Sequence, residues 1–156
     1  MRLKRVCIYG AGAIGGWLGV ALAKAGCELS AVARGQTLAA LQHNGLTLVH
    51  GEERETVAVN AQQDPAALGV QDVVVIAVKA PSMPDVARAV APLIGPQTMV
   101  VPIQNGVNAH ETIDAALGAG HAVGGTVFVS STLAEPGVVV ARGKTDRLVF
   151  GEIDGT

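Results

Sequence analysis

Apolar positions in this chain fall into short continuous runs, and between the runs they recur at helical spacing. Residues 3–9 read as a first strand that closes on the apolar run Val6-Cys7-Ile8-Tyr9. Residues 14–25 then place Ile14, Trp17, Leu18, Ala21 and Leu22 at the spacing of one helical face, and the pattern stops at Ala25-Gly26. Residues 28–33 read as a second strand ending at Arg34-Gly35, and residues 37–43 as a short helix stopped by Asn44-Gly45. Residues 46–50 and 55–59 alternate on either side of Gly51, as the two arms of a hairpin do. Asp64-Pro65 has the cap and first-position residues of a brief helix. Residues 72–78 are the most continuous β-branched run, the mark of a strand buried on both faces. A helix over 86–90, a strand over 98–103, a helix over 108–117 and a strand over 121–130 follow. Glu135-Pro136-Gly137 turns the chain into late strands at 138–140 and 147–150.

Strands alternating with helices predict an α/β fold of the doubly wound, Rossmann type, with a mainly parallel sheet and helices on both faces. In such sheets ligands bind beyond the carboxyl ends of the strands. Arg34, Lys79 and Asn105 each stand at a strand's carboxyl end, so the fold would bring them to one rim.

Gly10-Ala11-Gly12-Ala13-Ile14-Gly15 lies between the first strand and the first helix. That context makes it a phosphate-gripping turn rather than a chance glycine cluster. Gly10 would permit the tight turn, and Gly12 the close approach of a pyrophosphate. Gly15 and Gly19 would let the helix lie against the sheet. The helix start would offer unpaired N–H groups and about half a positive charge. A site for NAD places an acid about 20 residues past the turn, to meet the ribose 2′-hydroxyl. This chain has Arg34 there, and its nearby acid, Glu28, begins the strand instead of ending it. A guanidinium grips a 2′-phosphate and stacks on adenine, so the expected cofactor is NADP(H).

Composition narrows the picture. A chain of 156 residues is one domain, large enough for a full core. It is 49% hydrophobic and only 3% aromatic, so that core is aliphatic. The net charge of −2 gives no footprint for nucleic acid. Cys7 and Cys27 read as reduced thiols, and His43, His50, His110 and His121 show no metal spacing. The basic start is cut short by the glycine turn, no apolar run reaches a membrane-spanning length, and a cytoplasmic location is expected. Trp17 reads as packing. Lys79 is either a solvent-facing loop lysine or a group that meets a cofactor ribose or an anionic substrate. Asn105, within Gln104-Asn105-Gly106, taken alone is a turn residue. Beside a nicotinamide its amide would orient a substrate carbonyl or hydroxyl. Ser130-Ser131-Thr132 is either a plain polar stretch or a contact to the same site.

The glycine turn, Arg34-Gly35, Val78-Lys79-Ala80, Gln104-Asn105-Gly106 and Val149-Phe150-Gly151-Glu152 together resemble the ketopantoate reductase (2-dehydropantoate 2-reductase) family, over essentially the whole chain. The resemblance implies an NADPH-dependent reduction of ketopantoate to pantoate, a step toward coenzyme A. It implies that Gly10, Ala11, Gly12, Ala13, Ile14 and Gly15 bind pyrophosphate and that Arg34 binds the 2′-phosphate and adenine. Lys79 would lie by the cofactor, Asn105 would touch cofactor and substrate, and the Ser131 backbone would meet the cofactor. Members of the family continue into an all-helical domain that carries the catalytic lysine. This chain stops at Thr156, with about 151–156 as the start of a linker. Alone it is therefore expected to bind NADPH and to turn over weakly or not at all, and its uncovered face would favour a homodimer. Two other readings compete. One is a free-standing regulatory nucleotide-binding module of the kind that gates potassium transport. The other is a reductase of a different 2-keto acid.

Overall fold

A computed structural model describes residues 4–78, 83–103 and 109–151, and of residues 125–128 and 144–151 the backbone alone. Two sheets hold one helix between them. The first sheet is parallel, with the order β5-β2-β1-β6-β7. It consists of β1 (Arg5–Tyr9), β2 (Glu28–Val32), β5 (Asn60–Gln62), β6 (Val73–Ile76) and β7 (Met99–Pro102). The order reverses between β1 and β6, the crevice where doubly wound sheets bind their ligands. Tyr9 ends β1 in register with Val32 of β2 and Ile76 of β6, so three strands stop on one rim.

The runs read from sequence map onto this sheet. All four residues of β6 are buried, as a strand covered on both faces requires. α1 (Ala13–Lys24) and α2 (Gly35–Asn44) pack on one face, with Val6, Ile8, Leu18 and Leu41 in the shared core. α3 (Met83–Ala89) and α4 (Ala109–Leu117) cover the other, over Cys7, Val74, Ile76, Val86 and Ile113. Burial pushes the Cys7 thiol up to about 12, so it stays a neutral part of the core. At the opposite rim Asp72 accepts the backbone N–H groups of Lys4 and Arg5, at 2.9 Å each, and fastens β6 to the start of β1. The Asp64 carboxylate caps the 3-10 turn at Pro65–Ala67 through the Ala66 N–H, as the sequence predicts.

A second sheet is the main addition to the sequence reading. Its order is β4-β3-β9-β8, from β3 (Leu46–His50), β4 (Glu53–Val57), β8 (Gly124–Glu135) and β9 (Val138–Gly151). The expected hairpin is β3 and β4. The late strands join into one continuous β9, antiparallel to β8 and parallel to β3. The run read as one strand over 121–130 serves both sheets. The Val100 N–H of β7 bonds the His121 carbonyl and the Val123 N–H bonds the Val100 carbonyl, after which the chain crosses over as β8. β5 has no apolar run, and its three residues, Asn60, Ala61 and Gln62, lie parallel to the end of β2.

α1 lies between the two sheets. It contains Gly15, Gly16 and Gly19, each about 1 kcal/mol poorer than Ala in a helix interior. Packing therefore holds the helix, and close packing is what the glycines permit. A Cβ on Gly15 would stand 2.1 Å from the Gly10 carbonyl oxygen and 3.0 Å from Ile8 of β1. One on Gly16 would stand 2.5 Å from Val139 of β9, and one on Gly19 3.0 Å from Leu46 of β3. Gly19 thus touches the second sheet most closely, where the sequence reading set it against the first. Trp17 is buried in the core, as expected. Among the described residues no helix is long and apolar enough to cross a membrane.

Candidate functional site

Beyond the ends of β1, β2 and β6 lies a cavity of about 710 Å³. The glycine turn forms one end of it. Gly10 has φ +101°, a region that side chains disfavour, and a Cβ there would meet the Ala77 carbonyl oxygen at 2.8 Å. Gly10 therefore carries the chain across the crevice between β1 and β6. Gly12 has no atom within 4 Å of its Cβ direction, so the turn is open toward the cavity. Gly10, Ala11 and Gly12 line the cavity. Ala13, Ile14 and Gly15 begin α1 behind them. Ile14 is partly exposed at the rim.

Arg34 lines the same cavity, one residue past the strand that the sequence reading ended at Ala33. It occupies the N-cap of α2 without a side-chain capping bond, and the first turn of that helix holds no acid. Gly12 likewise caps α1 with no side-chain bond and no first-turn acid. Two helix starts of unanswered N–H groups thus open on one cavity, and such starts suit anions. Thr37, in the first turn of α2, lines the wall beside Arg34. Burial raises the Tyr9 phenol above its usual range, and the Arg34 guanidinium nearby partly offsets this.

Ser131 sits on β8, and its hydroxyl donates to the Ala13 carbonyl at 3.1 Å. A strand of the second sheet is therefore tied to the first residue of α1. Leu133, two residues on, lines the cavity while remaining partly exposed. Lys79 and Asn105 lie outside the described residues, although β6 and β7 both end on this rim.

Tyr9, Thr37, Gln63, Asp85, Val86 and Leu133 also line the cavity and were not singled out from sequence. Tyr9 adjoins Gly10 and Thr37 stands three residues past Arg34, so position relative to the motif would have found both. Leu133 carries no local signal, because only the crossing of β8 between sheets brings it there. Among the described residues no three His, Cys, Asp or Glu stand close enough to hold a metal. His121 Nδ1 lies 2.8 Å from the Thr98 carbonyl and His50 Nε2 2.8 Å from that of Gly143, both backbone contacts.

The open Gly12, the two unanswered helix starts and the cavity size fit an extended dinucleotide, since ligand pockets run about 300–1,000 Å³. Residues 6–155 match the family described as Ketopantoate reductase PanE/ApbA. A 2-dehydropantoate 2-reductase of Mesorhizobium japonicum is 48% identical over 104 residues, 66% of this chain and 32% of that protein. A PanE/ApbA family ketopantoate reductase from Ralstonia eutropha superposes with a TM-score of 0.85 at 34% identity, over 93% of this chain and 48% of its own. A 2-dehydropantoate 2-reductase from Geobacter metallireducens gives 0.87 at 29% identity, over 95% and 49%. The chain spans half or less of the length of these relatives. With the match running over nearly all its residues and the fold shared so closely, this chain belongs to the ketopantoate reductase PanE/ApbA family.

Proposed function

We infer that this chain is the NADPH-binding part of a 2-keto acid reductase, with ketopantoate as the substrate. The observation that carries the reading is the pair of helix starts on one cavity, one at Gly12 and one at Arg34. A dinucleotide with a 2′-phosphate has two separated anionic groups, and NADH has one. Gly10 to Gly15 would take the pyrophosphate. Arg34, with the first turn of α2 and the Thr37 hydroxyl, would take the 2′-phosphate. By family resemblance Lys79 would lie by the cofactor, and Asn105 would touch both cofactor and substrate. Ser131 acts through the Ala13 carbonyl, holding the helix start, rather than through its own backbone alone.

When bound, the nicotinamide supplies a hydride to the ketone carbon. The protein must then protonate the alkoxide from within hydrogen-bond reach. Among the described cavity residues no lysine or histidine is placed for that step. The resemblance assigns it to a lysine of the family's helical domain. Family membership favours this reading over a free-standing regulatory module. Calorimetry with NADPH and NADH tests it directly. NADPH should bind at least about tenfold tighter, the lower end for a charge-assisted contact, and Arg34→Asp should erase the difference. Equal affinities in the unaltered chain would overturn the NADPH assignment.

A further inference from the structure

Asp85 is the one carboxylate among the described residues that line the cavity, and Arg34 the one guanidinium. A cavity for a polyanion has no use for an acid near its phosphates. Two features make room for this one. Asp85 stands in the first turn of α3, on the β6 side of the crevice, whereas Arg34 and the opening of α2 are on the β2 side. Arg88, one turn along α3, pairs with the Asp85 carboxylate and offsets part of its charge. The pair is solvent-exposed, with the Asp85 side chain 84% accessible, so the carboxylate is free to accept a further hydrogen bond.

Apolar residues line the cavity on both sides of the crevice, beside the polar Tyr9, Thr37 and Gln63. Val32 and Ala33 close the β2 side, and Val78 and Val86 the β6 side. That is a slot for a flat ring. A base lying there, with its ribose phosphate at Arg34, turns its far edge toward α3. Adenine carries a donor on that edge, the exocyclic amine at C6. Hypoxanthine carries a carbonyl at the same place. An ionised carboxylate only accepts, so it bonds the first and repels the second.

We propose that Asp85 reads the base of the cofactor, accepting a hydrogen bond from the adenine amine, and so makes the site selective for adenine over a 6-oxo purine. This rests on the dinucleotide reading above. Gln63 also lines the cavity, but an amide both donates and accepts and would not discriminate in this way.

The test compares NADPH with its nicotinamide hypoxanthine counterpart by calorimetry, on the 156-residue chain and on Asp85→Asn. The unaltered chain should bind the adenine form roughly tenfold tighter, the low end for a bond to a charged acceptor at an exposed position. In Asp85→Asn the ratio should fall close to one, because the amide can turn to meet either edge. Urea unfolding of the variant checks that the chain remains folded. A helix-capping role alone would weaken both ligands together and leave the ratio unchanged, and that result overturns the proposal. A ratio near one in the unaltered chain overturns it as well, with the dinucleotide site intact. Failure of the unaltered chain to bind NADPH at all would overturn the site itself.

Discussion

The two sheets grip α1 from opposite sides, and they do so by different means. In the parallel sheet β1, β2, β6 and β7 are short, mainly apolar strands, each followed by its own helix. The mixed sheet joins β3 to β9 across most of the chain, with Thr47 in register with Val138. The first sheet supplies the glycine turn and Arg34. The second supplies Leu133 to the cavity lining and ties down the start of α1 through the Ser131 hydroxyl. One sheet therefore carries the groups proposed to meet the ligand, and the other braces the helix that holds them.

Substitutions at α1 separate these contributions. Gly15→Ala should do the most damage, because its Cβ would meet the Gly10 carbonyl oxygen at 2.1 Å and a backbone atom has nowhere to go. A loss of about 3 kcal/mol or more in urea unfolding, with NADPH binding abolished, is expected from overpacking against backbone. Arg34→Asp should leave unfolding unchanged and lower NADPH affinity by about 1.5–3 kcal/mol, since it removes a charge-assisted contact on an exposed rim. Gly16→Ala acts on the other sheet, where its Cβ would press on a γ-methyl of the buried Val139 at 2.5 Å. It should cost about 1–2 kcal/mol of stability with a smaller effect on the cofactor. If Gly16→Ala weakened NADPH as much as Gly15→Ala does, the division between the sheets would fail.

Ser131→Ala removes the bond to the Ala13 carbonyl and should cost about 0.5–1.5 kcal/mol, read by thermal unfolding. The smallest effect lies at the far rim. The backbone N–H of Arg5, then that of Lys4, hold the Asp72 carboxyl below the usual aspartate range. A lowered folded value means a stabilisation that is complete above the unfolded value, about pH 4, and is lost as the pH falls through the folded one. Asp72→Asn should flatten that acid limb in a series of unfolding curves, lowering stability at neutral pH by the small amount the limb spans in the unaltered chain.

The legible part of the molecule follows this same division. β1, α1, β2 and β6 announce themselves by apolar runs, a glycine turn and a β-branched stretch, because each element's burial is decided by residues beside it. Arg34 was legible because its place is counted from the turn. The second sheet was not, since β9 pairs with β3 across the distance from Val138 back to Thr47, and periodicity does not say which sheet a strand will join. β5 was invisible for another reason. It is short and polar and exists only because the end of β2 offers it hydrogen bonds. Asp85 lies just outside the helix read over 86–90, and only the cavity shows that it faces the same space as Arg34.

Helix α1, pressed between Ile8 on one side and Val139 on the other, has little freedom to tilt or slide. Its amides therefore point at the opening before any ligand arrives, and little ordering remains to be done on capture. Affinity for a dinucleotide should then reside mainly in slow release, with an association rate that hardly changes among variants of the wall.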